Sequence, residues 1–199
     1  KRQDITQVSK ESYINASITS GIKDVDIKIA SVEPVTGDGA LTGIYEALEQ
    51  QGFEVNEDDA KNATEEINDL SQIDQNHRDD EDYSDEKMNN AVADMKGQVA
   101  DKKHGNEKVD EQAVRDIVDE TLKEKGLDDV LNDNEKIKVE NIVINASNSK
   151  VVKEDPKSVS DQTSQLKNKL SKSIDDAKEK ANDNKGFFSK LIDKIKGWF

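Results

Sequence analysis

The side chains of this chain that could carry out chemistry are few and scattered. His77 and His104 are its two histidines, and it has no cysteine. A nucleophilic triad needs a nucleophile, a base and a third group that orients the base. Neither Gly-x-Ser-x-Gly nor His-Glu-x-x-His occurs in the chain. Both histidines therefore read as solvated loop residues, and no enzymatic activity is expected. The absence of cysteine removes disulfides, thiolate metal sites and cysteine nucleophiles together.

Two further groups have the right atoms in an imperfect pattern. Asp79, Asp80, Glu81, Asp82, Asp85 and Glu86 offer the hard oxygens that Ca²⁺ prefers. An EF-hand loop needs ligands at alternating positions, a central glycine and a terminal glutamate. This run lacks that spacing, and the nearest other stretch, 129–140, puts Leu131 and Asn134 at key places. No specific metal site is expected, and the six carboxylates read as a solvated loop with at most weak, screening-type cation association. Thr36, Gly37, Asp38, Gly39 and Gly43 precede and open a helical stripe, so backbone N–H groups there could cradle an anion. The spacing departs from Gly-x-Gly-x-x-Gly, Asp38 would repel phosphate, and no Lys-Ser/Thr pair follows. A glycine turn with close helix packing is the competing reading, and no cofactor is expected.

The clearest interaction signal is residues 186–199, GFFSKLIDKIKGWF. On a helical wheel Phe187, Phe188, Leu191, Ile192, Ile195, Trp198 and Phe199 share one side, while Lys190, Lys194 and Lys196 lie on the other with Ser189 and Asp193. That is the composition of an interfacial helix, suited to a membrane surface and preferably to anionic lipid. The same stripe could instead dock on the body of the protein, pair with a second copy, or fill another protein's groove.

These groups must be positioned by a chain of 199 residues that is 32% apolar, 37% charged and carries a net charge of −15. One large core is not expected from so little apolar material, and the acidity argues against nucleic acid as a partner. Charge is uneven. Residues 57–86 hold 13 acidic and 2 basic side chains, whereas 150–199 hold 12 lysines and 8 acids. The pattern predicts an α+β fold. Residues 1–55 read as a β-α-β-α unit: an extended start at 4–8, a helix capped by Ser9 and closed at Gly21, an alternating strand through Val25, Ile27 and Ile29, and a helix carrying Leu41, Ile44, Tyr45 and Leu48. Residues 56–146 read as an acidic helical region packing with it. Its four apolar faces run through Ala63, Ile67 and Leu70; Met88, Val92, Met95 and Val99; Val114, Ile117, Val118 and Leu122; and Ile137, Ile142 and Val143. A linker is expected at 147–159 and a helix at 160–182, either a spacer or a helix lying against the body, ahead of the amphipathic helix 186–199.

The runs Asp4-Ile5-Thr6, Tyr13-Ile14-Asn15-Ala16 and Gly21-Ile22-Lys23-Asp24, followed by Pro34-Val35-Thr36-Gly37-Asp38-Gly39-Ala40-Leu41-Thr42-Gly43-Ile44-Tyr45, resemble the secreted YpuA-like proteins of Gram-positive bacteria, the domain of unknown function 1002. The Thr-Gly-x-x-Ala-Leu-Thr-Gly block is the specific part. The resemblance implies export to the extracellular space or cell envelope. It also implies that this chain is a portion of the family domain, and it supplies no catalytic residues. The function expected is that of a non-catalytic extracellular or envelope protein whose C-terminal helix binds a membrane surface. The alternative is a soluble extracellular binding module, for a small anion, divalent cation or wall component, with that helix docked on its own fold or self-associating.

Overall fold

The computed structural model of the chain describes residues 8–22 and 37–175. They form α1 (Lys10–Thr19), α2 (Gly37–Gln50), α3 (Glu57–Asn76), α4 (Asp85–His104), α5 (Glu111–Glu124), α6 (Asp133–Asn148) and α7 (Lys150–Glu154). A further helix, α8, covers 156–175. Among the described residues there is no strand, so the expected α+β fold with its β-α-β-α unit is overturned in favour of a mainly helical one. The stretches read as strands, 4–8 and 25–29, lie outside the described residues except for Val8. The physical reason for the correction lies in α1. Its buried face, Ser12, Asn15, Ala16, Ser17, Ile18 and Thr19, packs on α3 and α4, so the helix expected between two strands lies on helices instead.

Local chemistry sets the helix ends. Ser9, Asn56, Ser84, Asp110, Asn132 and Ser149 each cap a helix by accepting a hydrogen bond from a backbone N–H of the first turn. At the far end of α1, Gly21 sits at φ +75°, which lets the Ile22 N–H reach back to the Ser17 carbonyl at 2.9 Å. Gly126 closes α5 the same way at φ +62°, with Leu127 N–H on the Leu122 carbonyl at 2.8 Å. After α4 the left-handed residue is Asn106, at φ +60°, one place beyond the capping Gly105.

α4 is the central helix. Met88, Ala91, Val92, Ala93, Met95, Val99 and Ala100 are buried in it, and α1, α5, α6 and α7 pack around it. They share the main core with Leu70, Ile73, Val118, Leu122, Leu127, Val139 and Val143. A smaller core joins α1, α2 and α3 through Ala16, Ile22, Leu41, Ile44, Ala63 and Ile67. Ile137, expected on the inner face of α6, is 52% exposed, and Val139 and Ala146 hold that face with Ile142 and Val143.

The stretch 147–159, expected as a linker, is built into the body. It contains α7 with buried Val152, then Asp155, whose carboxylate accepts the Ser158 N–H at 3.1 Å. Pro156 occupies the first position of α8, where its missing N–H costs nothing. Of the two placements left open for the following helix, the packed one holds: Val159, Leu166 and Leu170 enter the main core.

Candidate functional site

The densest set of titratable side chains in contact lies where α3 ends and α4 begins. α3 stops at His77, and the chain turns through the acidic run before Ser84 caps α4. The His77 ring has Nδ1 3.0 Å from Asp80 Oδ2 and Nε2 2.9 Å from Glu135 Oε2. Its side chain is 11% exposed and stacks on the Tyr83 ring, with centroids 5.1 Å apart. The expectation of a solvated loop histidine fails here because partners arrive from two directions. Glu135 comes from the third position of α6, where its carboxylate also accepts the Asn132 N–H in a capping box. Asn76 donates to its other oxygen at 2.9 Å. The Tyr83 hydroxyl donates a hydrogen bond to the Asp74 carboxylate.

Proton affinities follow from this packing. Burial works against the His77 cation, but the hydrogen bonds and charges of Glu135 and Asp80 outweigh it and raise His77 above the ordinary histidine value. Burial alone would raise Glu135; its bonds to His77, Asn76 and the Asn132 amide bring it below the usual carboxylate range. Asp74 is raised by burial against the pull of the Tyr83 hydroxyl. Asp85 is pushed up to about 7 by burial first, then by the adjoining Glu86 and Asp74 carboxylates. Glu86 is lowered, chiefly by its hydrogen bond with Asp85. A cleft of about 500 Å³ borders the cluster, lined by Ser9, Asp74, His77, Arg78, Tyr83 and Asp85 among others. The arrangement can take up and release protons near neutrality. Both His77 nitrogens already face carboxylates.

The residues singled out in the sequence do not meet at one place. Asp79, Asp80, Glu81 and Asp82 are exposed on the turn, Asp80 is engaged with His77, and Asp85 and Glu86 start α4. Among the described residues no group of three or more His, Asp or Glu side chains is placed to hold a metal ion. Gly37, Asp38, Gly39 and Gly43 all belong to α2, and a Cβ at Gly43 would meet nothing within 4 Å, so close packing does not demand that glycine. Thr36 lies outside the described residues, as do Phe187, Phe188, Lys190, Leu191, Ile192, Lys194, Ile195, Lys196, Trp198 and Phe199. A second, wider cleft of about 730 Å³ opens where α3 and α7 begin. It is lined by Glu49, Phe53, Glu57, Asp58, Asp59 and Lys150 with their neighbours.

Sequence reasoning missed the His77 cluster because Glu135 is 58 residues away. A signal existed in the Asn132-x-x-Glu135 spacing, which marks a capping box and so places that carboxylate at a helix start.

Comparison with known proteins agrees with the resemblance carried by the Thr36–Tyr45 block. A protein-family model described as "Protein of unknown function (DUF1002)" matches residues 1–168. The chain is 26% identical over 191 residues to the "Uncharacterized protein YpuA" of Bacillus subtilis (strain 168). The match covers 96% of this chain and 59% of that relative, so the chain spans about three fifths of the relative's length. No solved structure matches the chain.

Proposed function

This chain belongs to the DUF1002 family, whose description assigns no function, and from that premise we propose that it is a non-catalytic extracellular or cell-envelope protein held at a membrane surface by residues 186–199. The observation that carries the reading is how little apolar surface the body leaves open. Among the described residues, Phe53 at 56% and Ile137 at 52% are the exposed large hydrophobic side chains. The stripe of α8, the described helix nearest the C-terminus, is already spent on the core. Seven large apolar side chains follow within 186–199, and among the described residues the body leaves two large hydrophobic side chains exposed to meet them.

A lipid interface supplies what that segment lacks. Burying each large side chain contributes roughly 1.5–3 kcal/mol. Lysines near an anionic leaflet add about 1 kcal/mol apiece. Among the described residues no helix is long and apolar enough to cross a membrane, and the lysines of 186–199 suit a helix lying in the interface. The acidic body would then stand off the anionic surface by its own repulsion while the basic tail holds it.

Trp198 is the single tryptophan and sits inside the proposed anchor, so its emission is the test. In buffer it should emit as a solvated indole, and liposomes should shift it to the blue, more for anionic lipid and less at high salt. Emission already blue in buffer and indifferent to lipid would overturn the reading in favour of docking on the protein. A blue shift that depends on protein concentration and not on lipid would overturn it in favour of self-association.

A further inference from the structure

The His77 geometry carries a consequence for how the molecule responds to pH. Both ring nitrogens lie within 3.0 Å of carboxylate oxygens, and the two carboxylates come from different elements. A neutral imidazole has one N–H and one lone pair. In the neutral ring, whichever nitrogen lost its proton would aim a lone pair at an anionic oxygen. The contacts are therefore fully satisfied only by the imidazolium, with two charge-assisted donors.

We propose that the α3–α4 junction is an acid-tightened clasp, in which protonated His77 pins the end of α3 and the acidic turn to the first turn of α6, and proton loss in alkaline solution releases the turn. The proposal does not depend on membrane binding.

The carboxylates facing the ring act in one direction, against the burial that disfavours its charge. From the turn, Asp80 faces Nδ1; from α6, Glu135 faces Nε2; Tyr83 covers the ring face, and Asp74 stands behind it on the Tyr83 hydroxyl. Arg78 and Asp85 line the adjoining cleft, and Asp85, pushed up to about 7, is largely uncharged where the clasp is at full strength. When the ring is neutral, Glu135 keeps the Asn76 and Asn132 donors, so α6 retains its cap. With the remaining proton on Nε2, toward the buried Glu135, the exposed Asp80 loses the histidine donor. The part set loose is the turn carrying Asp79, Asp80, Glu81 and Asp82, which repel one another. Because the folded ring holds its proton more tightly than the unfolded one, the clasp is at full strength below about pH 6.5 and weakens as pH rises through the higher folded value.

The full chain can test this directly, since it has two histidines and hence two imidazole ring systems in a nitrogen-15 spectrum. His77→Gln assigns them. At about pH 6.5, where an ordinary ring is half protonated, His77 should be mostly doubly protonated. Its titration midpoint should fall in Asp80→Asn. In thermal melts the advantage of the native chain over His77→Gln should be present near pH 6 and lost near pH 9, at the two sides of the ordinary histidine range. A His77 midpoint at or below the ordinary value overturns the clasp, as does one that Asp80→Asn leaves unmoved. If His77→Gln does not fold, His104→Gln assigns the rings by elimination and Asp80→Asn supplies the midpoint shift.

Discussion

Lys96 Nζ stands 2.6 Å from Glu66 Oε1, with both side chains 1% exposed. The ammonium also donates to Thr19 Oγ1 at 2.8 Å and the Asn15 carbonyl at 3.0 Å, and the Thr19 hydroxyl donates to Glu66 Oε2 at 2.7 Å. Three helices, α1, α3 and α4, thus meet on one closed polar knot. Burial draws the Lys96 proton affinity down, and the Glu66 charge and hydrogen bond oppose it.

A buried pair of this kind is costly to break and cheap to replace. Lys96→Met leaves Glu66 as an uncompensated charge inside the protein and should cost about 3–5 kcal/mol. The double variant Lys96→Met with Glu66→Leu removes both charges and should be less destabilised than Lys96→Met alone. Urea unfolding of the native chain, both single variants and the double variant gives the coupling. Additive losses would mean that the pair does not act as a unit.

Asp85 gives a pH signature separate from that of His77. Its folded affinity is raised to about 7 from an ordinary 3.8. A group raised in this way contributes stability that is complete below the unfolded value and is lost as pH rises through the folded one. Between about pH 4 and pH 8, bounds set by those two values, the native chain should therefore lose stability through this residue. Asp85→Asn, which keeps the shape without the charge, should match the native chain near the acid end and exceed it near the alkaline end. Glu86 does not mask the effect, since its lowered affinity acts only in more acid solution, where stability is lost as pH falls through it. Denaturant midpoints at the two pH values decide; an equal difference at both would show that Asp85 ionises normally.

The helix boundaries were largely legible because capping is local. Ser9, Ser84 and Asp110 each stand before a periodic apolar run, and Gly21 and Gly126 each follow one. What each helix buries was harder to read. α1 hides Ser12, Asn15, Ser17 and Thr19, small polar residues of which Ser12, Asn15 and Thr19 bond to Asn89, Glu66 and Lys96 on α3 and α4, so its inner face carries little hydrophobic signal. α4 is covered on several sides, which spreads its apolar residues around the helix and admits Asn89, Asn90 and Lys96 to the interior. The Lys96–Glu66 and His77–Glu135 contacts join residues 30 and 58 apart. No local pattern announces such pairs, and the candidate site depends on the second of them. The polar stretch around Pro156 read as a linker because Pro, Ser and Lys favour loops. In the fold the same proline starts a helix.

Two helical glycines with opposite surroundings test the packing of α8 against α4. Glycine inside a helix ordinarily costs about 0.5–1 kcal/mol relative to alanine. Gly43 lies in α2 with open space where a Cβ would go, so Gly43→Ala should stabilise the protein by about that amount. Gly97 lies in α4, and a Cβ there would stand 2.9 Å from Thr163 Oγ1 and 3.6 Å from Thr163 Cβ. Thr163 is buried, and its hydroxyl already donates back to the Val159 carbonyl of its own helix at 2.8 Å, so it has little room to turn away. Gly97→Ala should therefore destabilise despite the better helix propensity, by about 1–3 kcal/mol for an overpacked contact. Trimming the opposing side chain to give Gly97→Ala with Thr163→Ala should recover much of the loss. Thermal or urea unfolding of the three variants reads the result. If Gly97→Ala stabilises as Gly43→Ala does, α8 does not press on α4 at this point, and the closed body from which the tail is inferred to project would lose one of its seams.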